Sequence, residues 1–300
     1  MANWNEILKE IRYQEPGIPL DIVRRKYIKE LYKLTGRNVI CYYSGFLSNS
    51  NHPDVGINDN DVSGFMTAIH KLDKSKGLDL IIHSPGGEVT ATEAIGNYLR
   101  EEFDGDIRVI VPQLAMSGGT MLCCIGKEIV MGKHSNIGPV DPQFGGTPCY
   151  GVIQEFEKAK QEIQDNPNTI PIWQMIISKY HPTFIGQCYR AIELSKDLIQ
   201  EWLMNGEMFK EYSKDERKRK IDKIVEYLNN NENTKIHSRH ISNLKAKELG
   251  LKIKDLEEDD NFQDAVLSIH HCYMHTFSNS NAVKIIENQN GIATISNAKS

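Results

Sequence analysis

Apolar residues recur at helical spacing at the start of the chain: Trp4, Ile7, Leu8 and Ile11, then Ile22, Val23, Tyr27, Leu31 and Leu34. The stretch PGIP at 16–19 interrupts them, so two helices are expected. The period then changes. NVICYYSGF (38–46) is short, aromatic and β-branched and predicts a strand, as do LDLIIHS (78–84), IRVIVPQ (107–113) and EIVMG (128–132). Between them, NDNDVSGFMTAIHKL (58–72) and EVTATEAIGNYLREEF (88–103) have helical spacing behind cap-type residues, and MLCCIG (121–126) predicts a short buried helix. Strands alternating with helices imply parallel β-α-β units whose helices cover the sheet.

After Gly151 the pattern becomes mainly helical. GVIQEFEKAKQEI (151–163), IPIWQMIISKY (170–180), FIGQCYRAIELSKDLIQEWLM (184–204) and ERKRKIDKIVEYL (216–228) all have helical period. NNNENTK (229–235) is expected to be a loop, and 240–256 a helix ended by Gly250 and followed by a strand. The division expected is an N-terminal helical extension at 1–36, a core at 37–150, and a helical part at 151–300 that completes the same domain.

Charge adds little to this picture. The 40 acidic and 35 basic residues give a net charge of -5, and neither sign dominates a segment. A nucleic-acid or membrane-surface role is therefore not expected. The N-terminus has no apolar signal core and no window approaches the roughly 18 uncharged apolar residues of a membrane span, so a cytoplasmic location is expected. The six cysteines form no C-x-x-C pair and read as reduced packing residues. His271 and His275 flank Cys272 at i, i+4 spacing, but no second ligand pair accompanies them, so no metal site is expected.

The candidate chemistry lies in two glycine-bearing turns. Ser84-Pro85-Gly86-Gly87 leaves one predicted strand and Glu88 opens a helix; Ser117-Gly118-Gly119-Thr120 stands between the next strand and helix. Paired glycines permit positive φ or close backbone approach, so both turns can direct amide N–H groups into one cleft at the ends of parallel strands. Such a pair stabilises an oxyanion formed when a serine attacks a carbonyl. Either turn alone is equally a serine N-cap, a common role for that residue.

Together the two turns resemble the Clp-fold serine peptidases, the superfamily of the Clp protease subunit, signal peptide peptidase A and the crotonases. LDLIIHSPGGEVTATEAI, VPQLAMSGGTML, KEIVMGKHSNIGPVDPQFGG and HSRHISNLKAKELGL are similar to the serine dehydrogenase proteinases, over roughly 38–256. The resemblance implies an α/β fold with a Clp/crotonase-like β-α spiral core carrying added N-terminal and C-terminal helices. It implies Ser117 as nucleophile, the Gly87 and Gly118 amides as oxyanion hole, a peptide or protein substrate, and homo-oligomers. Neither a G-x-G-x-x-G turn nor a pyridoxal lysine motif is visible, and no cofactor is expected. Any ATPase or membrane partner would come from another chain.

The base is the open question, because a serine hydroxyl needs one. Clp protease subunits carry a histidine a short way after the serine; here that place falls in Gly138-Pro139-Val140-Asp141-Pro142-Gln143. Asp141 either lines the site or caps a turn. For a Ser-Lys dyad, Lys158 lies about 160° from Phe156 around its helix and is expected in solvent. Lys179 shares a face with Ile172 and Ile176 and is the preferred lysine. His237, in IHSRHI, matches a family position and competes with it. His134 and Glu88 are further candidates for lining the site, and His83, just before the first turn, for lining it or supporting it from behind, each with a structural alternative. Two other classes stay open: a crotonase-like acyl-CoA enzyme using the same amide pair, and a catalytically silent scaffold or binding protein.

Overall fold

The predicted strands assemble into a seven-stranded sheet in the computed structural model, which describes residues 3–14 and 19–298. In chain order, α1 (Trp4–Tyr13) and α2 (Pro19–Thr35) precede β1 (Asn38–Ser44), α3 (Asn60–Ile69), β2 (Leu78–His83), α4 (Val89–Glu102) and β3 (Ile107–Val111). Next come β4 (Leu114–Ala115), α5 (Gly118–Cys123), β5 (Glu128–Met131), β6 (Asn136–Ile137), and the small hairpin of β7 (Gln143–Phe144) and β8 (Thr147–Pro148). The helical stretch holds α6 (Cys149–Asp165), α7 (Ile170–Ile177), α8 (Phe184–Asn205), α9 (Lys214–Asn229) and α10 (Asn231–Thr234). The chain returns through β9 (Ile241–Ser242), α11 (Asn243–Leu249), β10 (Ile253–Asp255), α12 (Asp260–Asn279), β11 (Ala282–Asn288) and β12 (Ala293–Asn297). Residues 16–18 of the PGIP turn lie outside the described residues.

The sheet order is β10-β5-β3-β2-β1-β11-β12, parallel from β10 to β1 and antiparallel from β1 through β11 to β12. Every residue of β1 and β2 is buried, as expected of parallel strands covered on both faces. Alternation divides β2. Leu80 and Ile82 pack with the α3, α4 and α5 side, whereas Ile81 joins Tyr43, Tyr273 and Phe277 on the side covered by α2 and α12. The parallel β1, β2 and β3 all end at one edge, where the loops that follow them converge.

Two features depart from the sequence reading. NNNENTK contains the one-turn helix α10 rather than a plain loop, started by Asn230, whose side-chain oxygen accepts the Glu232 amide at 2.8 Å. The strand expected after Gly250 is β10, but the mainly helical C-terminal part also supplies β11 and β12 to the central sheet, with β11 directly beside β1. A fully buried Glu287 ties β11 to the helices: its carboxylate accepts from Arg24 Nε at 2.6 Å, Arg25 Nε at 2.6 Å and Tyr273 OH at 3.2 Å. All six cysteines are free and buried. His275 stacks on Trp4 with ring centroids 3.6 Å apart, and its Nε2 lies 3.0 Å from the Trp4 carbonyl, which ties α12 to α1. Among the described residues, no helix is long and apolar enough to cross a membrane.

Candidate active site

The two glycine turns are stitched to each other. The Ser84 amide donates to Leu114 O at 3.1 Å and the Met116 amide returns to Ser84 O at 2.9 Å, so the segments after β2 and β3 run side by side into their turns. Ser117 closes the second turn at φ 51°, a region that non-glycine residues rarely occupy and that costs roughly 1–3 kcal/mol. It stands at the N-cap position of α5, yet its hydroxyl makes no capping bond and faces a cavity of about 980 Å³. Ser84 caps no helix either, and its Oγ accepts the Gly86 amide at 3.2 Å as a local turn bond.

Gly86 has to be glycine on two counts. Its φ is +92°, and a Cβ there would lie 2.6 Å from Ser117 Cβ and 2.7 Å from Met116 O. The neighbouring Gly87 is pinned from both sides: the Ile57 amide donates to Gly86 O at 2.7 Å and the Glu88 amide donates to Ile57 O at 2.9 Å. A Cβ on Gly118 would lie 3.4 Å from Gly87 N, so the Gly118 backbone lies close to that of Gly87, which lines the cavity next to Ser117. Among the described residues, neither the Gly87 nor the Gly118 amide donates a hydrogen bond to the protein. Backbone donors left unpaired at a cavity are available to an incoming anion or oxyanion.

The segment 138–141 is bound to the same turn. Thr120 Oγ1 donates to Ala115 O at 2.7 Å and accepts the Gly138 amide at 2.8 Å. Gly138 leaves room for Met116, whose Cε would lie 2.6 Å from any added Cβ. Farther along, Val140 N donates to Leu228 O at 2.8 Å and Ser195 Oγ to Val140 O at 3.0 Å, with Asn229 donating to Ser195 in turn. These bonds carry Asp141 inward. It is 1% exposed, and His237 Nδ1 lies 2.8 Å from its Oδ1. The imidazole is held by the turn before β9, where Arg239 bonds back to the carbonyls of Ile236 and Thr234.

His237 and Ser117 line the same cavity. In the tautomer that donates Nδ1–H to the Asp141 carboxylate, Nε2 is left as an acceptor. Glu88 and Asp54 contribute the carboxylates of the lining, and no lysine or arginine does, among the described residues.

Other candidates lie elsewhere. His83 follows the parity of Ile81 and projects from the opposite face of β2, where it neighbours Phe46 at 4.9 Å and His270 at 5.3 Å between ring centroids. Burial pulls its pKa down to about 3. It supports the second turn from behind, accepting the Leu114 amide at 3.4 Å, and does not line the cavity. His134 is exposed beside Gly132, away from the lining residues. Lys179 is exposed on the turn after α7, because the face it shares is an outer one: Ile172 is 62% exposed and Trp173 is the residue turned inward. Lys158 is exposed and pairs with Glu162. Glu88 is exposed at the cavity rim as the N-cap of α4.

One wall was missed from the sequence. Residues 53–58 follow β1 without a helix or strand period, and Ile57 forms an isolated parallel bridge to Gly87. The helix period of α8 gave no sign that Ala191 and Leu194 would face the cavity.

The family described as ClpP-like SDH-type serine proteinase matches the chain over residues 20–289. The chain is 27% identical over 269 residues to "Uncharacterized protein MJ0137" of Methanocaldococcus jannaschii, covering 88% of this chain and 82% of that one. It is 28% identical over 247 residues to "Uncharacterized protein MJ1495" of the same organism, covering 80% and 75%. A shorter match, 32% identical over 89 residues and 29% of each chain, is to "Putative protease MJ0651" of that organism.

Proposed function

Since the chain belongs to the ClpP-like SDH-type serine proteinase family, we propose that it is a serine peptidase acting through Ser117, His237 and Asp141, with the Gly87 and Gly118 amides as oxyanion hole. The observation that carries the reading is the His237–Asp141 pair, 2.8 Å long, on the cavity that Ser117 and Gly87 also line.

In this mechanism Ser117 Oγ attacks the scissile carbonyl carbon while His237 Nε2 takes the hydroxyl proton. The carbonyl π electrons move onto oxygen, and the two amides stabilise that charge. Asp141 holds the imidazole in the productive tautomer and stabilises the imidazolium. The tetrahedral intermediate collapses, the C–N bond breaks, and His237 returns its proton to the leaving amine. Water then repeats the sequence on the acyl-serine, with His237 again as base, and releases the acid. The strained turn at Ser117 presents Oγ free of any capping bond, so no local hydrogen bond has to be given up before attack.

A fluorophosphonate probe tests this. The expected result is a covalent adduct on Ser117, found by peptide mass spectrometry and absent in Ser117→Ala and much slower in His237→Ala. Well-folded protein that takes up no label would overturn the reading in favour of a silent scaffold. Coenzyme A binding undisturbed by Ser117→Ala would favour an acyl-CoA enzyme instead. Homo-oligomer assembly belongs to the same proposal, supported by the apolar side chains of Ile172 and Met175 that α7 leaves in solvent. Sedimentation of a monomer alone at micromolar concentration would overturn that part.

A further inference from the structure

β11 is buried along its whole length, and yet its third residue is Lys284, 2% exposed. A buried ammonium is costly unless its three donors find partners. Here all three do: Nζ donates to Gly56 O at 2.6 Å and to both carboxylate oxygens of Asp61 at 2.9 Å. Asp61 is 3% exposed and its Oδ2 accepts two further bonds, from Tyr42 OH at 2.7 Å and from the Asn58 amide at 3.1 Å.

The ion pair therefore grips both residues that flank Ile57, Gly56 through its carbonyl and Asn58 through its amide. Ile57 in turn grips both residues that flank Gly87, accepting from the Glu88 amide and donating to Gly86 O. We infer that Lys284 and Asp61 are positioning residues for the oxyanion hole: they fix the 56–58 segment, and that segment fixes the direction of the Gly87 N–H. A pair of apolar residues would serve a merely stabilising role as well. It could not hold a backbone carbonyl and a backbone amide at once. The inference rests on the serine peptidase reading.

The test is the fluorophosphonate reaction of Lys284→Met and of the charge-neutral double variant Asp61→Asn/Lys284→Met. Inactivation rate constant and half-saturation concentration are measured separately, beside the thermal melting of each protein. The expected result is a rate constant lower by about 10- to 100-fold, the effect of a misplaced group of about 1 Å, with half-saturation unchanged. If Lys284→Met fails to fold, the double variant decides, since it leaves no unpaired charge. Labelling of folded variants at the wild-type rate, even with lowered melting temperature, would overturn the positioning role and leave the peptidase reading intact. A change in half-saturation alone would also overturn it. Failure of the wild-type protein to label would overturn the underlying reading.

Discussion

His237 Nδ1 stands 2.8 Å from Asp141 Oδ1, although 96 positions separate the two residues along the chain. Asp141 is almost wholly buried and its second oxygen has no partner among the described residues, so the imidazole is the group that gives this carboxylate a purpose at the cavity. Asp141→Asn keeps the volume and removes the preference for the Nδ1–H tautomer. It is expected to lower the fluorophosphonate labelling rate by roughly 10²- to 10⁴-fold. Lys179→Ala is expected to label at the wild-type rate. Time-resolved mass spectrometry of the intact protein checks both, and the reverse pattern would point to a Ser-Lys dyad.

Gly86→Ala is expected to damage the site from behind. The new Cβ would press on Ser117 Cβ and on the Met116 carbonyl while holding φ at +92°. The strain is worth roughly 1–3 kcal/mol, so the protein should still fold with a lower melting temperature, while Ser117 labelling falls by at least about 100-fold. Equal labelling at an unchanged melting temperature would contradict the close contact.

Acid should destabilise the fold through histidines that the mechanism does not use. Burial holds His83 at about 3, below its ordinary 6.5, and holds His270 well below that ordinary value. For a base with a depressed folded pKa, the unfolded chain binds the proton first. Stability is therefore intact above about pH 6.5 and is lost as pH falls from there toward 3, at a limiting slope of about 1.4 kcal/mol per pH unit for each histidine. Urea melts between pH 7 and 4 measure this. His83→Gln should make the dependence shallower; an unchanged slope would show that His83 does not carry it.

Glu287→Gln removes the charge that Arg24 and Arg25 share at the back of the sheet. Arg24 is fully buried, so the substitution strands a guanidinium and is expected to cost about 3–5 kcal/mol. Chemical denaturation is the check, and a loss under about 1 kcal/mol would mean that Asp21, 2.9 Å from Arg24 Nη2, suffices alone.

The legible part of the fold was the part whose burial follows polarity. β1, β2, β3 and β5 are nearly continuous apolar runs, and their alternation with helices gave the parallel core. β11 escaped because Lys284 and Glu287 break an apolar run, and a period-based reading treats such residues as exposed. Both are buried in ion pairs with distant partners, a fact no local window contains. The Ser117 turn was legible from its glycines. His83 takes the supporting rather than the lining place, which β2 alternation held, since it shares parity with Ile81 and opposes Leu80 and Ile82. The pairing of His237 with Asp141 depends on α8 and α9 folding back over residues 138–141, which spacing along the chain does not encode.

The order of parts along the chain also sets when the site can be armed during synthesis. Ser117, both hole amides and Asp141 have all been made once residue 141 is joined, but the imidazole follows at 237, and the lysine behind the hole at 284. A nascent chain halted between those points carries the proposed nucleophile before its proposed base has been made. On the proposed serine peptidase reading, hydrolytic competence therefore waits until the chain has been extended to residue 284, well after the nucleophile itself is made.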